Sequence, residues 1–414
     1  MASAGHTVVG IDVDERRIAA LSRGEAPFFE PGLDDLLRAG VESGALTFST
    51  DIADAADADV HFIAVGTPQS DTGAADLRYV DAAIADIAGI LKPGALVAGK
   101  STVPVGYAST AAERVEAAGG RLAWNPEFLR EGFAVQDTLA PDRLVYGVRD
   151  GDTAAVDILD AVYARILEVG APRLVTDFAT AELVKVAANA FLATKISFIN
   201  AMAEVADAVG ADVTQLADAI GYDGRIGRRF LNAGIGFGGG CLPKDIRGFV
   251  ARAQELGVGE SVAFLREVDS INLRSRVRVV SHAVGALGGD AGGRRVAVLG
   301  LAFKPDSDDV RDSPGLDVAI QLKALGAHVV AHDPKAIASA RQRYPELEYV
   351  DDVDDALRGA EVVVLATEWA EYRGLDPKAA GTLVAARRIV DGRNWLDAAA
   401  WRGEGWQYRG IGRP

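Results

Sequence analysis

Cysteine is almost absent from this chain: Cys241 is the only one in 414 residues. No intrachain disulfide can form, so a reducing, cytoplasmic setting is expected. Basic residues are also short, with 43 Lys and Arg against 59 Asp and Glu, a net charge of −16. That balance, with a pI near 4.8, excludes the basic footprint of a phosphate-tracking nucleic-acid binder. It still permits a small phosphorylated ligand held by a few local cations. No apolar run reaches the ~18 residues that span a bilayer, and Met1-Ala2-Ser3-Ala4-Gly5-His6-Thr7 lacks the basic and apolar regions of a signal peptide. Neither nucleic acid nor membrane is expected as a partner, and no metal site is expected. Short-period repeats and low-complexity segments are missing too. At this length one core does not suffice, so two or three domains are expected.

What is present alternates. Over the first 176 residues, short β-branched runs are separated by amphipathic stretches, the pattern of a parallel sheet with crossover helices. Strands are predicted at Thr7–Asp12, Asp59–Val65, Ala95–Ser101, Arg121–Trp124 and Arg143–Val148, with helices at Tyr79–Leu91 and Gly106–Ala117. Phe178–Val209 has no Gly or Pro and repeats its apolar residues at helical spacing, which predicts one helix of roughly 45 Å. A second α/β unit begins at Arg294-Arg295-Val296-Ala297-Val298-Leu299-Gly300 and continues through Ala327–His332, Val362–Ala366 and Arg388–Asp391. The fold class is α/β: two Rossmann-like parallel-sheet domains joined by a long central helix and a helical region.

Asp12 ends the first predicted strand. In a dinucleotide-binding unit such an acid holds the adenosine ribose hydroxyls, about 20 residues after a Gly-x-Gly-x-x-Gly turn. Only 11 residues precede Asp12, and no such turn stands in the correct context anywhere in the chain. Either this is no dinucleotide domain and Asp12 is an ordinary solvated strand end, or the first strand and glycine turn are missing and Met1–Gly5 is the end of the first helix. Two further strand ends, Val65-Gly66-Thr67-Pro68 and Lys100-Ser101-Thr102-Val103-Pro104-Val105-Gly106, put hydroxyls where open parallel sheets bind ligands. The same residues also suit ordinary turns.

The chemistry concentrates around the cysteine. Gly236-Phe237-Gly238-Gly239-Gly240-Cys241-Leu242-Pro243-Lys244-Asp245 places a thiol just before a helix that Pro243 is suited to open. Positive potential at a helix N-terminus favours the thiolate, hence a nucleophile. Lys185 and Asn189 share a helix face one turn apart within an apolar run. Asn125-Pro126-Glu127-Phe128-Leu129-Arg130-Glu131-Gly132 follows a strand and carries two carboxylates four residues apart. Leu301-Ala302-Phe303-Lys304-Pro305-Asp306 with Arg311 offers a basic pair suited to a diphosphate.

Together with Asp391-Gly392-Arg393-Asn394, these stretches resemble, in order and over nearly the whole chain, the signatures of the nucleotide-sugar 6-dehydrogenases, the UDP-glucose/GDP-mannose dehydrogenase family. The resemblance implies an NAD-binding Rossmann domain (1–176), a helical dimerisation domain (177–285) and a UDP-sugar-binding Rossmann-like domain (286–414). It implies a homodimer that oxidises a primary alcohol to a carboxylate with two NAD and one water. Cys241 would form a thiohemiacetal and then a thioester. Lys185 and Asn189 would stabilise the oxyanion, and Glu127 would activate the hydrolytic water with support from Asp245 and Thr102. NAD would be held by Asp12, Arg17, Thr67, Thr102, Glu131, Lys244 and Arg311. The sugar nucleotide would meet Glu127, Phe128, Leu129, Lys185, Asn189, Phe230, Gly238, Lys304 and Arg393, and Arg225 would reach a neighbouring subunit's substrate. Arg225-Ile226-Gly227 and the cysteine loop resemble the UDP-glucose branch more than the GDP-mannose or N-acetylated-sugar branches. Two other readings stand beside this one: a chain that binds the sugar nucleotide or dimerises without holding NAD, and a β-hydroxyacid dehydrogenase. The latter shares the layout and a catalytic Lys but explains neither the cysteine loop nor the second α/β unit.

Overall fold

A computed structural model describes residues 1–70 and 73–414. They form two compact units, one of Met1–Ala188 with Arg247–Gly259, the other of Asn189–Ile246 with Glu260–Pro414. The central stretch 177–285 therefore contributes to both.

Seven strands belong to the first unit: β1 (Val8–Ile11), β2 (Leu46–Ser49), β3 (Val60–Ile63), β4 (Leu96–Gly99), β5 (Arg121–Trp124), β6 (Leu144–Val148) and β7 (Arg173–Thr176). They fall into two sheets, β1–β2 and β3–β4–β5–β6–β7. Pairing is parallel except between β5 and β6, which run antiparallel. The expectation of an all-parallel sheet is corrected at that pair. The chain reaches β6 from β5 through a loop and one short helix, Ala134–Leu139. Strand β4 is buried along its whole length, as a central strand covered on both faces should be. Gly99 in it is required by packing: a Cβ there would stand 2.3 Å from the Trp124 ring.

The second unit holds β8 (Arg295–Leu299), β9 (His328–His332), β10 (Glu348–Tyr349), β11 (Val362–Leu365), β12 (Arg388–Asp391) and β13 (Gln407–Gly410). The sheet is parallel throughout, in the order β10-β9-β8-β11-β12-β13. This is the doubly wound order, with its topological switch between β8 and β11. The four predicted strands are present. The two-residue β10 and the outermost β13 carry too little apolar alternation to be read in advance.

Six helices carry or hold the residues of interest: α1 (Glu15–Leu21), α2 (Tyr107–Ala117), α3 (Ala134–Leu139), α4 (Phe178–Val209), α5 (Leu242–Glu255) and α6 (Phe264–Ala286). By length and composition alone, α4 is long and apolar enough to cross a membrane, although charged residues interrupt its apolar runs. It nevertheless carries buried Glu182, Lys185, Asn189 and Asn200, which suits the core helix of a folded protein.

Candidate active site

In the first unit the strand ends gather polar side chains. Asp12 follows β1, and its carboxylate accepts from the Asp14 backbone N–H at 2.9 Å and from Arg17 on α1 at 2.5 Å. Burial works to raise its pKa, but these donors win and hold it below the ordinary carboxylate value. It is thus an ionised acceptor at a strand end. Beyond β3, Thr67 is buried. Beyond β4, the Ser101 hydroxyl donates to the Val65 carbonyl at 2.7 Å, tying the two strand-end loops together, while Thr102 stays partly exposed.

The loop after β5 begins on buried Asn125. Its Oδ1 accepts from Tyr163 Oη at 2.6 Å and from Lys100 Nζ at 3.2 Å, and its Nδ2 donates to the Val145 carbonyl. Lys100 went unassigned in the sequence. Loss of hydration, and secondarily the neighbouring charge of Lys185, bring its ammonium down to about 8, against the opposing pull of Glu127. Two residues on, Glu127 accepts from Lys185 Nζ at 2.9 Å through Oε1 and from the Leu129 N–H at 2.5 Å through Oε2. Phe128 presents its ring to two cations, Arg143 at 3.8 Å and Lys185 at 5.6 Å from the centroid. Leu129 is exposed and Glu131 partly so.

In the second unit Cys241 immediately precedes α5 and is exposed. Its carbonyl accepts the Asp245 N–H at 2.9 Å, the first bond of the helix. Asp245 is buried, accepting from Asn189 Nδ2 at 2.6 Å and pairing with Lys244 at 2.8 Å. Asn189 and Lys185 both lie on α4. The thiol therefore stands at a helix N-terminus with a hydrogen-bonded carboxylate one turn behind it.

The loop glycines serve the protein's own packing. A Cβ at Gly238 would meet the Asp312 carbonyl at 2.2 Å, at Gly239 the Phe303 ring at 2.7 Å, and at Gly240 the Arg311 guanidinium at 2.5 Å. Gly236, at φ 98°, would strike Asn272. Asn272 on α6 grips Phe237 from both sides, accepting its N–H at 2.7 Å and donating to its carbonyl at 3.0 Å. Arg276 donates to the same carbonyl and pairs with Asp312.

Other sites proposed from the sequence are placed as follows. Arg393 spends its guanidinium on the carbonyls of Ala366, Gly236 and Phe303, so it knits three loops. Lys304 lies over the Phe303 ring, and Arg311 forms a two-pronged pair with Asp309. Arg225 is exposed and paired with Asp223, on a loop whose Ile226 and Gly227 carbonyls accept from Lys195. Phe230 has φ 67°, a strained conformation for an aromatic residue, of the kind that clusters at ligand sites.

Comparison with known proteins adds the following. Residues 1–167 match the NAD binding domain of the UDP-glucose/GDP-mannose dehydrogenase family, residues 179–274 its central domain, and residues 297–398 its UDP binding domain. The chain is similar to UDP-glucose 6-dehydrogenase TuaD of Bacillus subtilis, with 42% identity covering 100% of this chain and 89% of that protein. It is likewise 42% identical to UDP-glucose 6-dehydrogenase of Rhizobium meliloti, covering 99% of this chain and 95% of the relative. Among solved structures it is similar to a UDP-glucose dehydrogenase from the hyperthermophilic archaeon Pyrobaculum islandicum. The TM-score is 0.91 and the identity 40%, with 100% of this chain and 94% of that one covered.

Proposed function

The chain belongs to the UDP-glucose/GDP-mannose dehydrogenase family, and we propose that it is an NAD-dependent UDP-glucose 6-dehydrogenase, oxidising the C6 alcohol to the carboxylate of UDP-glucuronate. The observation that carries the chemistry is Cys241 at the start of α5, with Asn189 bound to Asp245 one turn behind it.

The first unit's residues fit the cofactor. Asp12, ionised and partly exposed at a strand end, suits the adenosine ribose hydroxyls and disfavours an extra phosphate. Arg17, Thr67, Thr102 and Glu131 of the same unit are assigned with it, and Lys244 and Arg311 from the second unit. NAD, when bound, supplies the hydride acceptor for each of the two oxidations.

The protein's own groups do the rest. Cys241, as thiolate, adds to the aldehyde carbon, which retains a reactive product and divides a four-electron oxidation into easier steps. Lys185 and Asn189 donate to the oxyanion of the adduct. Glu127 takes a proton from the water that hydrolyses the thioester. Its bond to Lys185 supports this role by fixing the orientation of the carboxylate. Asp245 and Thr102 assist proton transfer. Phe128, Leu129, Phe230, Gly238, Lys304 and Arg393 are assigned to the sugar nucleotide, Arg393 chiefly by holding its loops.

A homodimer in the cytoplasm completes the reading. Phe191, Phe198 and Val205 are exposed on α4 at seven-residue intervals, a seam suited to a second copy of the helix. Arg225, exposed on its loop, is assigned to the neighbouring subunit's substrate. An NADH-formation assay with UDP-glucose, GDP-mannose and UDP-N-acetyl sugars tests the function. Two NADH per UDP-glucose are expected, and turnover confined to another sugar nucleotide would overturn it.

A further inference from the structure

We propose that Glu30 and Glu182 are positioning residues for this reaction, each holding one loop that carries functional side chains; the inference rests on the roles assigned above to Thr102 and Glu127. The loop after β4 ends at Gly106 and the loop after β5 ends at Gly132, both glycines in the left-handed conformation, at φ 98° and 77°. At each, the glycine N–H and the N–H two residues on donate to the two oxygens of a single buried glutamate. Gly106 and Ala108 donate to Glu182, both at 2.6 Å. Gly132 and Ala134 donate to Glu30, both at 2.7 Å. The first loop carries Thr102, the second Glu127 and Glu131.

Several helices of this chain are capped locally. Asp14, Asp212 and Asp397 each sit at their own helix's N-terminus and accept its first N–H groups. The helices after these two loops lack such a side-chain cap. Their acceptor comes from a remote segment instead, 74 to 104 residues away along the chain. A local cap satisfies a helix end without fixing where it lies. A remote carboxylate gripping two N–H groups fixes the loop to another element as well, through charge-assisted bonds.

Glu182 lies on α4 three residues before Lys185, so one helical face holds both the loop and the lysine. From the other side, Arg252 on α5 donates to the Val105 carbonyl at 2.9 Å. The Thr102 loop is thus gripped by a carboxylate on its N–H groups and by a guanidinium on its carbonyl.

The test uses Glu182→Gln and Glu30→Gln, in which an amide NH2 replaces one accepting oxygen and faces an N–H. Hydrogen exchange is expected to quicken at least tenfold at residues 104–110 in the first variant and at 130–136 in the second. In steady-state assays with NAD and UDP-glucose, Glu182→Gln should raise KM for NAD about tenfold with kcat within threefold. Glu30→Gln should instead lower kcat about tenfold. Unchanged exchange, or faster exchange with unchanged kinetic constants, would overturn the proposal, leaving plain helix caps. If a glutamine variant fails to fold, the aspartate variant, which keeps the charge but reaches one methylene less, takes its place. Failure of both to fold would assign that glutamate to stability and also overturn the proposal. Exchange needs no turnover. Bracing can therefore stand while the wild-type assay with UDP-glucose fails, and the two readings separate.

Discussion

Lys185 donates to Glu127 at 2.9 Å, and the lysine side chain is only 6% exposed. A buried ammonium with one carboxylate partner is a committed arrangement, because removing either member leaves the other's charge uncompensated. Glu127→Gln keeps the shape and removes the base. Turnover should fall by 10²-fold or more, on the order expected for a lost general base. Intact-mass spectrometry after mixing with NAD and UDP-glucose should show the thioester retained on Cys241. A variant that stops without any adduct would remove Glu127 from the hydrolytic step.

Cys241→Ser should abolish net formation of UDP-glucuronate, since the hydroxyl before α5 gains far less anionic character from the helix than a thiol does. Product chromatography checks this. Glucuronate at the wild-type rate would rule out covalent capture.

Asn189→Ala takes the donor from one oxygen of the buried Asp245 carboxylate. Leaving such an acceptor unsatisfied costs about 1–3 kcal/mol, visible as a lower melting temperature. The lost oxyanion donor should cost roughly 10²-fold in kcat. Asn189→Asp places a second carboxylate against the first and should be worse on both counts.

Gly238→Ala should destabilise the second unit. The added Cβ would lie 2.2 Å from a backbone carbonyl, so the main chain must move, at a cost of about 1–3 kcal/mol. Gly224→Ala is the control, having open space at its Cβ position, and its melting temperature should match wild type.

Burial lifts the Glu182 carboxyl from 4.5 to about 6, with the N–H groups of Gly106 and Ala108 and the Arg252 charge restraining the rise. Because the folded value exceeds the unfolded one, the folded state holds the proton more tightly. That stabilisation is complete below about pH 4.5 and is lost as pH rises through about 6. The displacement corresponds to about 2 kcal/mol. Glu182→Gln cannot titrate, so relative to wild type it should gain about that much between pH 4.5 and 7 in urea unfolding. A constant difference across that range would show that Glu182 does not titrate there.

Residues whose role is fixed by their neighbours in sequence were legible in advance. Arg121–Trp124, Phe178–Val209 and Arg388–Asp391 are read to the residue. Cys241 before its helix follows from Pro243. Long-range partners left no trace. Nothing near Gly106 announces Glu182, nothing near Gly132 announces Glu30, and the Lys100–Asn125–Tyr163 cluster joins three separate stretches. The resemblance gave Gly238 to the sugar nucleotide, and the atoms its Cβ position would meet are the protein's own, as they are at Gly240. The antiparallel β6 was hidden because Leu144–Val148 is buried and apolar throughout, and such a run carries no mark of direction.

The strand-end aspartates of the two units differ. Asp12 ends β1 with a carboxylate partly open to solvent. Asp333 follows β9 in the other sheet, but it turns inward, accepting from the N–H groups of Leu301 and Ala302 and from the Trp369 indole. Those N–H groups belong to the turn after β8, where a dinucleotide's diphosphate would otherwise be cradled. In the second unit those N–H groups are therefore already taken by a side-chain acceptor of the protein's own. Two α/β units in one chain thus differ at the strand-end acid: one carboxylate stays open to a ligand, the other fills its own turn.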